Sequence, residues 1–118
     1  MDDRNVFDAP LFVYGTLRSA CRNPMSRYLE SRGTLLGHGR CRGRLYHLGA
    51  YPAFVSGGYG MVSGEVYRVP NPELWRQLDR YEGCSPEDPP PTEYVRVLRP
   101  VRVDGRRIRA WVYLYNRP

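Results

Sequence analysis

The spacing of residues around one glutamate predicts the surroundings that acid–base chemistry requires. Glu82 follows Leu78 by four residues and Leu74 by eight, so its carboxylate shares the helical face that the two leucines should bury. It also lies in the last turn of that helix, where the negative end of the helix dipole disfavours a further negative charge. Burial and dipole both raise the pKa of a carboxyl group, which suits a general base that works near neutral pH. From position alone, a frayed helix end with Glu82 in water is the more common arrangement.

Two helices are predicted from their sequence signals. The helix that carries Glu82 covers PELWRQLDRYE, with Asn71 as a candidate N-cap, Pro72 at the first helical position and Gly83 as the C-terminal stop. A shorter helix is predicted over PMSRYLES, with Asn23 as its cap and proline again at the first position.

A second candidate for chemistry lies at the end of the first predicted strand, LFVYG. Gly15 lets the backbone approach a ligand closely, and the successive N–H groups of Tyr14, Gly15, Thr16 and Leu17 could hold a carboxylate. An ordinary turn between strand and loop is the alternative interpretation of the same residues.

Length and composition predict one compact domain that covers residues 1–118. No apolar run is long enough to span a membrane, and the acidic, polar N-terminal segment is not typical of a secretory signal. The three cysteines form no C-x-x-C pair, which favours free thiols in a reducing cytoplasm over disulfides or a zinc site. No cluster of histidine, cysteine and acidic residues has metal-ligand spacing, so no metal is expected.

Short segments between prolines and glycines predict a small α+β fold, in which about six strands form a mixed β-barrel with two or more flanking helices. After the first strand, the strand candidates are TLLGH, GRLYHL, AFVS and GEVYRV. The segment CSPEDPPP contains four prolines and is predicted to be an irregular loop.

The C-terminal hairpin is the clearest of these elements. Asp104-Gly105 forms a two-residue turn between EYVRVLRPVRV and RRIRAWVYLY. Pairing across the turn predicts one apolar face (Val101–Ile108, Val97–Val112, Val95–Leu114) and a second face (Tyr94–Tyr115, Arg96–Tyr113, Leu98–Trp111), with Arg102 opposite Arg107 in solvent. Pro100 predicts an edge, bend or bulge.

Five short motifs, in register over Leu11–Tyr115, resemble the γ-glutamylcyclotransferase-like family, in particular its small branch of γ-glutamylamine cyclotransferases. They are V-Y-G-T-L-R, G-R-L-Y-H-L-G-A-Y-P-A, L-D-R-Y-E-G, Y-x-R from Tyr94 to Arg96, and A-W-V-Y. The resemblance implies that the backbone amides of Tyr14, Gly15, Thr16 and Leu17 bind a γ-glutamyl group and that Glu82 is the catalytic acid and base. It also implies that Tyr94 and Tyr113 contribute to substrate binding.

The reaction implied by the resemblance is cyclisation of a γ-glutamyl amide to 5-oxoproline with release of an amine, a lyase-type acyl transfer. The substrate supplies its own nucleophile, the α-amino group, so neither a cofactor nor a metal is needed. The enzyme must bring amine and carbonyl together and move a proton, which one carboxylate with a raised pKa can do. A γ-glutamylamine is the predicted substrate, while a dipeptide, a biosynthetic intermediate and the oligomeric state are left open.

Three alternative functions remain open from the sequence alone. Cys84, with His38 or His47 as its base, could be a nucleophile, but the spacing does not indicate a triad. The net charge of +6, carried entirely by arginine, permits a module that binds single-stranded nucleic acid through Tyr94, Tyr113, Tyr115 and Arg96. We expect no nucleic acid, because several arginines alternate with apolar residues like the solvated face of a sheet. The third alternative is a family member that binds γ-glutamyl ligands without turnover.

Overall fold

The structure is a computed structural model and describes residues 9–14, 24–48 and 51–116. Five strands and two helices lie in this part of the chain. They are, in order, β1 (Leu11–Val13), α1 (Pro24–Arg32), β2 (Thr34–Leu48), β3 (Tyr51–Arg68), α2 (Pro72–Glu82), β4 (Tyr94–Val103) and β5 (Arg106–Tyr115).

The strands form a closed barrel in the order β1-β3-β2-β4-β5. All neighbours are antiparallel except β1 and β5, which run parallel and close the barrel where Leu11 pairs with Trp111. The predicted small mixed barrel with flanking helices is therefore confirmed. The four predicted strand segments between the helices belong to only two long strands, β2 and β3.

Each face of the barrel wall has its own hydrophobic core. The interior core is formed by side chains from all five strands: Phe12, Cys41, Phe54, Val62, Val66, Val101, Val103, Ala110, Val112 and Leu114. The exterior core lies beneath the helices, where Leu29 of α1 and Leu74 and Leu78 of α2 pack against Leu11, Val13, Tyr67, Val69, Tyr94 and Tyr113. The leucine face predicted for α2 is thus buried, and it holds this helix against the outside of the barrel.

Local sequence signals determine both ends of α2. Asn71 Oδ1 accepts a hydrogen bond from the backbone N–H of Leu74 at 2.9 Å, and Pro72 occupies the first turn. Gly83 adopts the left-handed conformation at φ 71°, and its N–H donates to the carbonyl of Arg80. These contacts confirm the predicted caps. The cap predicted for α1, Asn23, lies outside the described residues.

The hairpin of β4 and β5 has the predicted register at all seven predicted pairs. Asp104 and Gly105 both have positive φ, at 49° and 78°, as the predicted turn requires. Pro100 lies at an edge, because the pairing of β2 with β4 ends at Cys41 and Val101, one residue before the proline is reached.

Glycines interrupt the pairing of β2 with β3. Arg42 pairs with Met61, whereas the next residue, Gly43, pairs with Ser56, so residues 57–60 have no partner on β2. Gly57 and Gly58 have positive φ in this excursion, and Tyr59 at its tip is 98% exposed. These bends explain why the sequence favours several short strands where the structure has two long ones.

Close approach of β1 to β3 depends on Gly64. A Cβ atom at this position would lie 2.1 Å from the carbonyl oxygen of Val13 and 2.7 Å from Cζ of Phe12. No side chain fits such a space. The absence of a side chain at Gly64 therefore fixes the position of β1, and with it the position of Tyr14, which directly follows β1.

Candidate active site

Glu82 ends α2 and is partly buried against the barrel. Burial, followed by the negative charges of Glu93 and Asp79, raises the pKa of its carboxyl group from an ordinary 4.5 to about 7. Within residues 9–14, 24–48 and 51–116, no arginine or histidine lies within 4 Å of this carboxylate. A carboxyl group in such surroundings exchanges protons near neutral pH, as a general acid and base must.

Asp79, one turn earlier on α2, has the opposite surroundings. Arg96 of β4 holds it with two hydrogen bonds, Nε to Oδ1 at 2.9 Å and Nη2 to Oδ2 at 3.1 Å. Tyr113 of β5 donates its hydroxyl proton to Oδ1 at 2.7 Å. A two-point arginine–carboxylate pair fixes geometry as well as charge, so this network ties α2 to the two adjacent strands.

Two tryptophans enclose the Arg96 guanidinium group. Its carbon lies 4.4 Å from the ring centre of Trp75 on α2 and 4.7 Å from that of Trp111 on β5. The two rings meet edge to face at 6.4 Å. These contacts add cation–π attraction to the ion pair and limit the freedom of the arginine side chain.

Tyr14 joins the first strand to the site. Its hydroxyl donates a short hydrogen bond to the backbone carbonyl of Tyr113, and its ring packs against Phe54 with centres 5.0 Å apart. Burial raises the pKa of this hydroxyl, and the nearby negative charge of Glu82 raises it further. The hydroxyl therefore stays protonated, and the charge effect places Tyr14 near the Glu82 carboxylate.

The structure locates four of the seven predicted site residues. Glu82, Tyr14, Tyr94 and Tyr113 lie at one end of the barrel, where β1 and β5 end and β4 begins. Tyr94 is buried and meets the ring of Tyr115 edge to face at 5.7 Å. The other three, Gly15, Thr16 and Leu17, lie outside the described residues. Of the four residues whose backbone N–H groups are predicted to bind the γ-glutamyl group, the structure therefore describes only Tyr14.

The alternative nucleophile has unfavourable surroundings. Burial, then the charges of Asp79 and Glu82, raises the pKa of the Cys84 thiol to about 12, which keeps it protonated at neutral pH. His38 Nε2 lies 3.8 Å from Glu65, and the side chain of His47 lies outside the described part of the chain. Cys41 and Cys84 are free thiols, and Cys21 lies outside the described residues. No group of three potential metal ligands occurs among the described side chains.

Two of the three tyrosines proposed for base stacking are buried, and Tyr115 is partly exposed. Tyr113 is 2% exposed and Tyr94 is 9% exposed, because both lie beneath α2 in the exterior core. Arg96 is held by Asp79 and the two tryptophans, so it does not lie beside an open aromatic face. A single-strand binding site of the predicted kind would need these rings in solvent.

Comparison with known proteins identifies the family of this chain. The sequence model of the family described as γ-glutamyl cyclotransferase, AIG2-like, matches residues 11–118. This chain belongs to that family. The match includes every element of the described barrel and the whole of the candidate site.

Two relatives and one solved structure illustrate the likeness of this γ-glutamyl cyclotransferase-family chain. It is 36% identical over 108 residues to the γ-glutamylcyclotransferase family protein ytfP of Citrobacter rodentium, covering 92% of this chain and 82% of that relative. It is 33% identical over 128 residues to a γ-glutamylaminecyclotransferase of Bos taurus, covering 95% and 68%. The crystal structure of YkqA from Bacillus subtilis superposes with a TM-score of 0.72 at 26% identity. That superposition covers 92% of this chain, which spans only 36% of the YkqA chain.

Sequence reasoning missed Asp79 in this family member, although the motif L-D-R-Y-E-G contains it. The sequence contains a signal for an ion pair, because an acidic residue lies three residues before Glu82 on the helix and an arginine, Arg96, ends the Y-x-R motif. Their contact spans 17 residues of sequence, and the pattern of apolar residues does not predict it.

In the described part of the chain, no helix is both long and apolar enough to cross a bilayer.

Proposed function

We propose that this protein cyclises a γ-glutamyl amide to 5-oxoproline and releases the free amine, with Glu82 as the general acid and base. The observation that carries the proposal is the raised pKa of Glu82, about 7, at the barrel end that also holds Tyr14. Membership of the γ-glutamyl cyclotransferase family supports the reaction class.

The reaction removes two protons from the α-nitrogen. The Glu82 carboxylate takes the first from the substrate α-ammonium group, and the resulting amine attacks the γ-carbonyl carbon. A carbon–nitrogen bond forms and closes the five-membered ring, the carbonyl oxygen carries the negative charge in the tetrahedral intermediate, and the ring nitrogen, now positively charged, loses the second proton to solvent. The bond to the leaving nitrogen then breaks as protonated Glu82 donates its proton to that nitrogen, which leaves a neutral lactam and a free amine that is protonated by water. A pKa near 7 allows both transfers at neutral pH.

We attribute the rest of the rate enhancement to positioning of the substrate. We assign the γ-glutamyl group to the backbone amides of Tyr14, Gly15, Thr16 and Leu17, because Tyr14 is fixed by its hydrogen bond to Tyr113. Holding amine and carbonyl together in this way can contribute several kcal/mol, on the order of 7 or more. We assign Tyr94 and Tyr113 to the wall of the site. The Tyr113 hydroxyl donates to Asp79, so this residue acts by positioning α2.

A γ-glutamylamine is the substrate class that we favour. The bovine relative is named as a γ-glutamylaminecyclotransferase and matches 95% of this chain. The free thiols of Cys41 and Cys84 support a reducing, cytoplasmic location for the reaction.

The test is release of 5-oxoproline from a panel of γ-glutamyl amines and γ-glutamyl dipeptides. We expect turnover of at least one donor, and we expect Glu82→Gln to lower kcat by a factor of about 100 to 10,000, as loss of a general acid–base does. Glu87→Gln is the matched control, because Glu87 is an exposed carboxylate in the following loop. Full activity of Glu82→Gln, or absence of 5-oxoproline with every donor, would contradict the proposal.

A further inference from the structure

The barrel wall is open between β2 and β4 at the end that holds the candidate active site. The two strands are paired only where Gly39–Cys41 meet Val101–Val103. In the described part of the chain, residues 42–48 of β2 and residues 94–100 of β4 have no pairing with each other, so the strands separate towards Tyr94. We refer to this gap as the β2–β4 opening.

Apolar side chains on the interior face of the barrel border the opening on both sides. On β4, Val95 and Val97 pack against the interior core. On β2, Leu45 pairs with Phe54, a buried member of that core, so the two side chains share the interior face. Continuing the register of the paired segment would set Leu45 opposite Val97 across the gap.

The exposure of these side chains comes from the opening. Val95 and Val97 are partly exposed, whereas their partners on β5 are at most 7% exposed. Leu45 is 36% exposed, whereas its partner Phe54 is 0% exposed. Each strand that borders the gap thus exposes apolar side chains in a layer that the next strand buries. Covering such a surface with an apolar group is favourable, because it removes apolar area from water.

The opening is continuous with the candidate active site through Tyr14. The Tyr14 ring packs against Phe54 with centres 5.0 Å apart, and it joins the same interior core as Val95 and Val97. The Tyr14 hydroxyl lies near Glu82, whose negative charge acts on it. The ring therefore adjoins the opening, and the hydroxyl adjoins the proposed site of proton transfer.

We propose that the β2–β4 opening binds the carbon chain of the leaving amine. The inference rests on the proposed function and names its substrate class, γ-glutamyl amides of unbranched alkylamines. The γ-glutamyl group is assigned to the backbone amides that begin at Tyr14, so the leaving amine is the part of the substrate that remains for the opening.

The dimensions of the opening fit a chain of about four to six carbons. Glu93, whose charge acts on Glu82, directly precedes Tyr94, so β4 begins near the proposed reacting nitrogen. Strand rise places Val95 about 3 Å and Val97 about 10 Å from Tyr94. An extended chain of six carbons spans about 7 Å, and apolar groups make contact at about 4 Å. A chain that starts beside Glu82 therefore reaches Val97.

The lining of the opening predicts which chains are accepted. Between Glu93 and Arg99, the interior-facing positions of β4 are both valine. A charged group on the chain would lose water at Val95 and Val97 without gaining a polar partner from them, whereas each methylene gains by burial. The next interior position is Arg99, whose charge acts on the buried Cys41 thiol. The preference for longer chains should therefore end once the chain passes Val97.

The experiment compares γ-glutamyl amides of ethylamine, butylamine and hexylamine, with 2-methoxyethylamine as a polar amine of the same length as butylamine. For the wild-type protein we expect kcat/KM to rise about two- to fourfold with each added methylene group, as burial of apolar chain does. The 2-methoxyethylamine donor should have a kcat/KM at least about twofold below that of the butylamine donor, because its ether oxygen loses hydrogen bonds to water.

The double variant Leu45→Gln/Val97→Thr makes both borders of the opening polar with little change in size. The rise in kcat/KM per methylene group should fall towards one in this variant. Leu36→Gln/Val55→Thr is the matched control, with the same chemical changes at residues that are 48% and 40% exposed. Leu36 lies near the start of β2, and Val55 pairs with Arg44 on the outer face, so the control should retain the wild-type rise. All four positions are at least partly exposed, so both variants should fold, and urea denaturation checks this.

Each result decides a different point. A kcat/KM that stays flat or falls with chain length in the wild type, or a rise that persists in Leu45→Gln/Val97→Thr, overturns the assignment of the opening and leaves the proposed function intact. Equal loss of the rise in the control variant would overturn the assignment as well. Absence of 5-oxoproline from every donor in the series and from the wider panel overturns the proposed function, and the leaving-group assignment with it.

Discussion

Two carboxylates on one helix show how the surrounding residues determine the properties of an acidic side chain. Asp79 and Glu82 lie three residues apart on α2, near the same helix end and against the same barrel wall. Asp79 is held by Arg96 and Tyr113, whereas Glu82 faces the negative charges of Asp79 and Glu93. The first arrangement fixes the position of the Asp79 side chain, and the second raises the pKa of Glu82 to about 7.

The difference gives the two residues separate tasks. Arg96 and Tyr113 hold the Asp79 carboxylate with three hydrogen bonds, so we assign Asp79 to positioning α2 against the barrel. Its negative charge also raises the pKa of Glu82, so the structural residue tunes the proposed catalytic one. We therefore expect substitution of Asp79 to lower mainly the free energy of unfolding, and substitution of Glu82 to change mainly its pH dependence.

Asp79→Asn should have the largest effect on folding. Removing the charge leaves Arg96 partly buried without its carboxylate, so we expect the free energy of unfolding to fall by about 3 kcal/mol, measured by urea denaturation. Glu73→Gln is the control, because the Glu73–Arg76 pair on the same helix is exposed and should contribute under about 1 kcal/mol. Equal losses in the two variants would contradict the distinction between Asp79 and an ordinary surface acid.

The pH dependence of stability should change in Glu82→Gln. The raised pKa of Glu82 means that the folded protein binds a proton more tightly than the unfolded chain. This contribution is fully present below the ordinary pKa of 4.5 and is lost as the pH rises through about 7. Its size is at most about 3 kcal/mol.

The measurement is the free energy of unfolding of wild type and Glu82→Gln across that pH range. We expect the stability of the variant relative to wild type to increase as the pH rises, since glutamine carries no charge to be desolvated. A constant difference across the range would mean that the Glu82 pKa is not raised.

Tyr113→Phe should have the smallest effect. The variant loses one hydrogen bond to Asp79 and keeps the Arg96 pair, so we expect a loss of about 1 kcal/mol in the free energy of unfolding. The KM for a γ-glutamyl donor should change less than about tenfold, because the hydroxyl is directed at Asp79. A larger rise in KM at unchanged kcat would instead indicate that the hydroxyl contacts substrate.

Locally encoded features were predictable from the sequence. The Asp104-Gly105 turn sets the register of β4 and β5, and Asn71, Pro72 and Gly83 set the ends of α2. Each of these depends on residues close in sequence whose backbone preferences are strong. The position of Glu82 on the leucine face of α2 follows from the same helical spacing.

Contacts between distant segments were not predictable in the same way. The Asp79–Arg96 pair and the tryptophans around it bring together α2, β4 and β5, and neither propensity nor periodicity contains that information. The length of β2 and β3 was missed for a different reason. Gly43 and the glycines of the β3 excursion resemble strand breaks, whereas they bend strands that continue.

The missing side chain at Gly64 has a consequence for the candidate site. Any larger group there would push β1 outwards and carry Tyr14 away from Tyr113. The geometry of the site would then change although none of its own residues had been replaced. A substitution at Gly64 would thus act on the proposed reaction from a distance, through the position of a whole strand.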